Sequence, residues 1–337
     1  MSNILITGVA GFVGINLTKY LIDKGHDITG IDLFDRHGRL LNAELLKQGK
    51  FTFKKIDLAQ DKIPYDEFKD IDVIFHLAAL PHVDYSYFYP HRAITNNIES
   101  LLSMTELALK LEIPLILASS VEVYGGSEDK IYTEDSLPLP LSPYAASKVA
   151  SEAIIKTFVE TQKLTATIFR FTNLYGPWQA PDRLLPRVIS QVFSDIEIVV
   201  EKGTNRDFVF IDDACEVLEK AINFSHTGEI YNLSTGIKRN NYEIVQKVLE
   251  QLPTSNIQIM EPRHHDGRGK YLVSSSQKLS KATGWSAKTP INEGITDTIQ
   301  WYRDHPTWVA QFHKNISVGR QTDKFLTDSN LNLPYWK

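Results

Sequence analysis

Ile4-Leu5-Ile6-Thr7-Gly8-Val9-Ala10-Gly11-Phe12-Val13-Gly14 is an apolar run, then a glycine-rich turn, and Ile15, Leu17, Tyr20, Leu21 and Ile22 continue it at helical spacing. A strand, a glycine turn and a helix in that order form the setting in which a helix N-terminus receives a pyrophosphate. Gly8 permits the tight turn, Gly11 lets the backbone approach the phosphates, and Gly14 lets helix and strand pack closely. Phe12 and Val13 complete this expected dinucleotide cradle. Working outward, a second strand from His26 to Ile31 ends at Asp32, where a carboxylate holds a ribose diol and repels a 2'-phosphate. The cofactor expected is therefore NAD, with Arg36 and Arg39 nearby weighing the other way. A third strand, Phe51 to Ile56, ends at Asp57-Leu58, which suits an adenine-edge contact or a strand-terminal cap.

A second block carries the chemistry. The apolar run Ile113 to Leu117 predicts a buried strand, so Ser119, Ser120 and Glu122 emerge at its C-terminal end, where open parallel sheets bind ligands. Ser142-Pro143 then predicts a helix start that places Tyr144 and Lys148 on one helical face. A phenol with a reference pKa of about 10 becomes a usable base when an ammonium and a cationic nicotinamide ring favour its phenolate. Tyr144 is the candidate base, and Ser120 a hydroxyl to orient the substrate oxygen.

The chain has 337 residues and a net charge of -5, which gives no electrostatic case for nucleic acid or an anionic membrane. Its single cysteine, Cys215, excludes an internal disulfide and reads as a small buried hydrophobe in a reducing compartment. No signal peptide and no apolar stretch of the roughly 20 residues a membrane span requires is seen, so a cytoplasmic protein is expected.

Several motifs in order carry a resemblance. Gly8 to Gly14 in G-x-x-G-x-x-G spacing, His76-Leu77-Ala78-Ala79, Ser120 to Gly125, and Tyr144 with Lys148 resemble the extended short-chain dehydrogenases of the NAD-dependent epimerase/dehydratase family. The resemblance implies an α/β fold with a Rossmann-type doubly wound parallel sheet and a smaller C-terminal α/β substrate-binding lobe. It divides the chain into a cofactor domain at 1–175, rejoined by 209–233, a nucleotide-sugar lobe at 176–208 and 234–310, and a tail at 311–337. It makes Ser120, Tyr144 and Lys148 a catalytic triad, with Lys148 also on the nicotinamide ribose, and sets Leu77, Ala78 and Ala79 where a flat cofactor crosses the sheet. It gives His82, Asn173, Arg206 and one of Arg263 and Arg268 to the nucleotide sugar, the arginines as diphosphate clamps. His264 and His265, adjacent but without further matched ligands, do not make a metal site, and none is expected. Thr95 to Leu111 shows two apolar stripes, with Ile98, Leu101, Leu102, Thr105 and Leu109 on one side and Met104, Leu107 and Leu111 on another. The second stripe and the family habit predict a homodimer; a helix buried within the monomer is the competing explanation.

The family oxidises C4 of a nucleotide-linked sugar, and Glu122 decides the fate of the resulting ketone. A glutamate two residues after the serine resembles the 4,6-dehydratases and also the sugar-acid decarboxylases. Val121 stands where deoxythymidine-sugar dehydratases carry an aspartic acid. A 4,6-dehydratase acting on a nucleotide-diphosphate hexose is the leading expectation. A 4-epimerase is the alternative, then a decarboxylase or a 4-dehydrogenase. A non-catalytic NAD-binding scaffold fits poorly with an intact Ser120, Tyr144 and Lys148.

Overall fold

The structure, a computed structural model, describes residues 1–33, 50–127, 129–201, 203–223, 227–254, 256–260 and 269–311. Arg36, Arg39, Arg263, His264, His265, Arg268 and the tail from 312 lie outside the described residues.

Short runs rich in isoleucine, leucine, valine and phenylalanine make a seven-stranded sheet. Its spatial order is Ile230–Leu233, Ala166–Phe171, Leu115–Ser120, Val73–His76, Asn3–Thr7, Asp27–Asp32 and Phe51–Lys55, all pairs parallel. From Asn3–Thr7 the chain steps to one edge, then returns to lay Val73–His76 on the opposite side of that first strand. Connections leave in opposite directions at this point, which opens a crevice at the C-terminal strand ends.

Alternation along each strand gives the sheet two apolar faces. Leu5, Ile74, Leu115, Leu117 and Ile168 turn to one face, packed with Leu101, Met104, Leu107 and Ile155 from the helices Pro90–Leu111 and Pro143–Gln162. Ile4, Ile6, Val73, Phe75, Ile116 and Phe169 turn to the other, under Ile15, Leu17 and Leu21 of Phe12–Asp23 and Ala214, Val217 and Leu218 of Ile211–Ala221. Each such side chain, fully withdrawn from water, contributes about 1.5–3 kcal/mol.

The helix carrying Tyr144 starts as expected. Ser142 Oγ accepts from the Ala145 N–H at 3.0 Å, and Pro143 occupies the first turn, where its missing N–H costs nothing. The preceding long helix begins at Pro90 rather than Thr95, for the same reason. Its two stripes are largely accounted for within one chain: Met104 and Leu107 share the core with Leu101, and Ile98 and Leu102 remain half-buried.

The second lobe is smaller. A four-stranded sheet runs Arg239–Asn240, Asn205–Arg206, Tyr271–Ser274, Ile131–Tyr132, so a piece of the first half of the chain crosses into it. Asn173–Tyr175 pairs with Phe208–Phe210, and Ile198–Glu201 with Ile257–Met260. Ile230–Leu233 then returns to the large sheet beside Ala166–Phe171.

Candidate active site

The crevice holds a cleft of about 490 Å³ running from the glycine turn to the second lobe. Gly8 adopts φ +70°, a left-handed conformation, and donates its N–H to the Ile31 carbonyl at 2.8 Å. A Cβ there would sit 2.9 Å from Ala78 Cα, and one on Gly14 would sit 2.3 Å from the Gly8 carbonyl oxygen. The turn therefore closes tightly only with glycine at both positions. Gly11, Phe12 and Val13 line the cleft beside it. Asp32 is buried, accepting from the N–H groups of Ala10 at 3.1 Å and Leu33 at 2.8 Å, so its carboxylate is fixed at the strand end. Leu77, Ala78 and Ala79 line the cleft next to the turn, the two alanines leaving room for a flat ring. These features fit a dinucleotide: a backbone cradle that a methyl group would fill, and a fixed carboxylate at the end of the neighbouring strand. Asp57 and Leu58 line the same end, but the Asp57 carboxylate accepts from Ala59 N and Gln60 Nε2, both at 3.0 Å, and so caps its own turn.

Ser120, Glu122, Tyr144 and Lys148 all line the cleft, with Ser120 and Glu122 near the Tyr144 hydroxyl. Ser120 ends the Leu115–Ser120 strand, and its Oγ accepts from the Glu122 N–H at 3.2 Å, winding Val121–Tyr124 into a short 3-10 turn that presents Glu122. Burial pushes the Tyr144 hydroxyl up to about 12, against a hydrogen bond from Ser120 and the charge of Arg183; the Glu122 carboxylate pushes it the same way as burial. Lys148 does not turn to Tyr144 in this arrangement. Its ammonium donates to the Ala118 carbonyl at 2.7 Å, and burial lowers it to about 8 despite the charge of Glu152. His76, hydrogen-bonded to Thr7 Oγ1 at 2.9 Å, is lowered to about 3 by burial and by Lys148, so it is neutral.

Toward the second lobe the expected residues separate. His82 lines the cleft and pairs with Asp182 at 3.3 Å. Asn173 lines it too, with its Nδ2 donating to the Asp207 carbonyl at 3.1 Å. The Asp207 carboxylate in turn accepts from Thr235 N at 3.0 Å and Gly236 N at 2.7 Å, tying the crossing strand down. Arg206 departs from expectation: it is buried, donates to the Asn205 carbonyl at 3.0 Å, and is not part of the cleft lining. The physical reason is its strand register, which sets it between Arg239 and Leu272 in the small sheet. Arg183 is instead on the wall, donating to the Pro81 carbonyl at 3.1 Å while its charge reaches Tyr144. Trp178, Gln179 and Trp308 also line this end, and the sequence motifs do not point to them. Trp178 and Trp308 pack edge to face at 5.6 Å, which joins the Pro306–Gln311 helix to the cleft. No spacing in the sequence announces such a contact, because its members are far apart in the chain.

A family model for the NAD dependent epimerase/dehydratase family matches residues 4–234. The chain belongs to that family. It is an enzyme family that works with NAD, and the glycine cradle and Asp32 of this member fit that cofactor. The chain is 30% identical over 308 residues to the low-salt glycan biosynthesis protein Agl12 of Haloferax volcanii, covering 89% of this chain and 98% of that one. It is 29% identical to a dTDP-glucose 4,6-dehydratase of an Actinoplanes species, covering 90% and 99%. Among solved structures, a dTDP-glucose 4,6-dehydratase from Streptomyces venezuelae with NAD bound superposes with a TM-score of 0.84 at 25% identity, covering 91% of this chain and 98% of that one. No helix among the described residues is long and apolar enough to cross a membrane.

Proposed function

We propose that this member of the family is a 4,6-dehydratase acting on a nucleotide-diphosphate hexose. The observation that carries the reading is Glu122, presented into the cleft by the Val121–Tyr124 turn within electrostatic reach of Tyr144. Likeness to dehydratases along nearly the whole chain supports it.

NAD, when bound, supplies the acceptor for the C4 hydride, its later donor to C6, and a positive ring beside the phenol. A phenol held at about 12 by the protein alone is a poor base at neutral pH, so Tyr144 takes the C4 hydroxyl proton only with that ring in place. Ser120 orients the same oxygen, and the Lys148 ammonium would hold the nicotinamide ribose. The C4 ketone acidifies the C5 proton, which Glu122 removes. The C6–O bond then breaks, and the departing hydroxyl takes a proton from Glu122, since Val121 provides none. The bound cofactor would return its hydride to C6, and a proton, in net terms the one Tyr144 took from the C4 hydroxyl, would add at C5, so the sum would be loss of one water. His82, Asn173 and Arg183 bind the nucleotide-sugar end, and remote binding there positions the hexose for transfer. The protein works as a cytoplasmic homodimer through the half-buried Ile98 and Leu102, and sedimentation of the purified chain tests the dimer.

The experiment is incubation with a panel of nucleotide sugars, with product mass as the readout. Loss of one water is expected. An isobaric product makes the chain a 4-epimerase, and loss of carbon dioxide a decarboxylase. Glu122→Gln abolishes water loss while leaving C4 oxidation; full-rate dehydration by that variant removes Glu122 from the mechanism.

A further inference from the structure

Directly behind the cleft wall lies a charged cluster that the proposed mechanism does not use. Strand register sets Arg170 between Ser119 on one neighbouring strand and Asn232 on the other. Arg170 and Glu152 are 3% and 6% exposed, and they meet as a fork: Nε donates to Oε1 at 2.9 Å and Nη2 to Oε2 at 2.6 Å. Ser119 Oγ donates to the same Oε1 at 2.5 Å. The remaining donor, Nη1, reaches the Tyr124 hydroxyl oxygen at 2.7 Å, with the guanidinium carbon 4.8 Å from the ring centre. Tyr124 donates onward to Asn232 Oδ1 at 2.8 Å, and Asn232 N donates to Glu134 at 2.7 Å. Taking an ion pair out of water often costs as much as the attraction returns, so well-packed apolar residues would stabilise this position equally well. What the pair does provide is direction, since a bidentate fork fixes both partners in angle as well as distance.

Each arm of the cluster ends next to a group that faces the cleft. Ser119 precedes Ser120, Tyr124 comes two residues after Glu122 in the same turn, and Glu152 lies one helical turn after Lys148. We propose that the Glu152–Arg170 pair is a positioning unit for catalysis: Glu152 keeps the buried Lys148 amine charged, and Arg170, through Tyr124, fixes the turn that presents Glu122. The inference rests on the roles proposed for Lys148 and Glu122 in dehydration. The groups facing Lys148 are the Glu152 carboxylate on its own helix, neutral His76 from Val73–His76 and the Ala118 carbonyl, with Arg170 behind Glu152. With the carboxylate neutralised, the amine faces neutral groups and one uncompensated guanidinium, and releases its proton at lower pH.

The test uses the full-length chain titrated with NAD across pH, which needs no knowledge of the sugar. Wild-type affinity should fall as pH rises through about 8, where Lys148 loses its proton. Glu152→Gln should bring the same fall at a pH lower by about one unit. Ser119→Ala, which removes one donor without touching the pair's charge, should leave the fall at its wild-type pH, and the Tyr124 arm carries the test if Glu152→Gln folds poorly. Tyr124→Phe should leave NAD affinity in place and slow water loss about tenfold, with the 4-keto hexose accumulating, a loss equal to one misplaced hydrogen bond. Thermal melts of all three variants accompany the titrations. Lower melting temperatures with superimposable pH profiles and unchanged water loss mean that the cluster is structural, and the proposal falls. A wild-type chain that binds NAD yet dehydrates no nucleotide sugar refutes the proposed function instead, while the NAD profiles still decide the Glu152 arm.

Discussion

The two ends of the cleft are built by different means. At the cofactor end, Gly8, Gly11 and Gly14 act through what their backbones allow, and Asp32 through one carboxylate at a strand end, all between residues 8 and 32 of the chain. At the end proposed for the substrate, His82, Asn173, Trp178, Asp182, Arg183 and Trp308 come from three stretches of the chain, at 82, 173–183 and 308, and act through side chains. A backbone site is specified by local spacing and changes little with its surroundings. A side-chain site is specified by tertiary packing, so each of its members depends on several others.

The largest expected effect tests whether the ends are separable at all. Tyr144 sits where they meet, and Tyr144→Phe should lower kcat by about 10²–10⁴-fold, the usual contribution of a positioned base, while NAD affinity and KM stay within a few-fold. Steady-state kinetics with NAD titration checks this. A comparable loss in NAD affinity would show that the phenol belongs to the cofactor end and that the division is wrong.

Gly8→Ala should come next. A side chain at φ +70° costs about 1–2 kcal/mol, and the added methyl would press on the Ala78 backbone at 2.9 Å. NAD affinity is expected to fall about ten- to a hundredfold, read by titration, with little change in nucleotide-sugar KM once NAD is saturating.

This contrast also explains what the sequence makes legible. The glycine turn, Asp32, the strand ending at Ser120 and the helix from Pro143 are specified by local spacing, and the structure places them in the same cleft. The motif around Arg206 predicts a place on the wall, yet strand register buries that arginine in the small sheet, which no local pattern reveals. Trp308 lies far along the chain from Trp178, and only the folded second lobe joins them. Arg170 does leave a signal. A lone arginine in the strand Ala-Thr-Ile-Phe-Arg-Phe must be paired if that strand is central, and the strand is flanked on both sides. Its partner Glu152 could not be chosen from sequence among the many glutamates of the chain.

Arg183→Met sharpens the comparison from the substrate end. Its guanidinium lies on the wall, held by the Pro81 carbonyl, and a charge-assisted bond to a phosphate contributes about 1.5–3 kcal/mol. KM for the nucleotide sugar should rise about ten- to a hundredfold, with NAD affinity unchanged. If KM is unmoved, the diphosphate is held elsewhere, and the outlying Arg206 regains its claim.

The smallest effect concerns the exception within the cofactor end, where Lys148 brings a positive charge into a site otherwise made of backbone and the Asp32 carboxylate. Burial lowers its amine from an ordinary 10.5 to about 8, so below about 8 the folded and unfolded chains both carry the proton and the full penalty of burying it is present. Between about 8 and 10.5 the folded chain releases the proton first, and stability gains with rising pH relative to a variant without the amine. Lys148→Met keeps the volume and removes the charge, at the loss of one hydrogen bond to the Ala118 carbonyl. Its melting temperature at neutral pH should exceed wild type by a few degrees, about what 1 kcal/mol gives a domain of this size, and the gap should close as pH rises toward 10.5. NAD affinity should fall at least about tenfold in the same variant. A melting gap that stays constant with pH would mean that Lys148 is not titrating in the fold, and that its charge comes at no expense to stability; the site would then be uniform after all, and the glycine turn no different in kind from the lysine beside it.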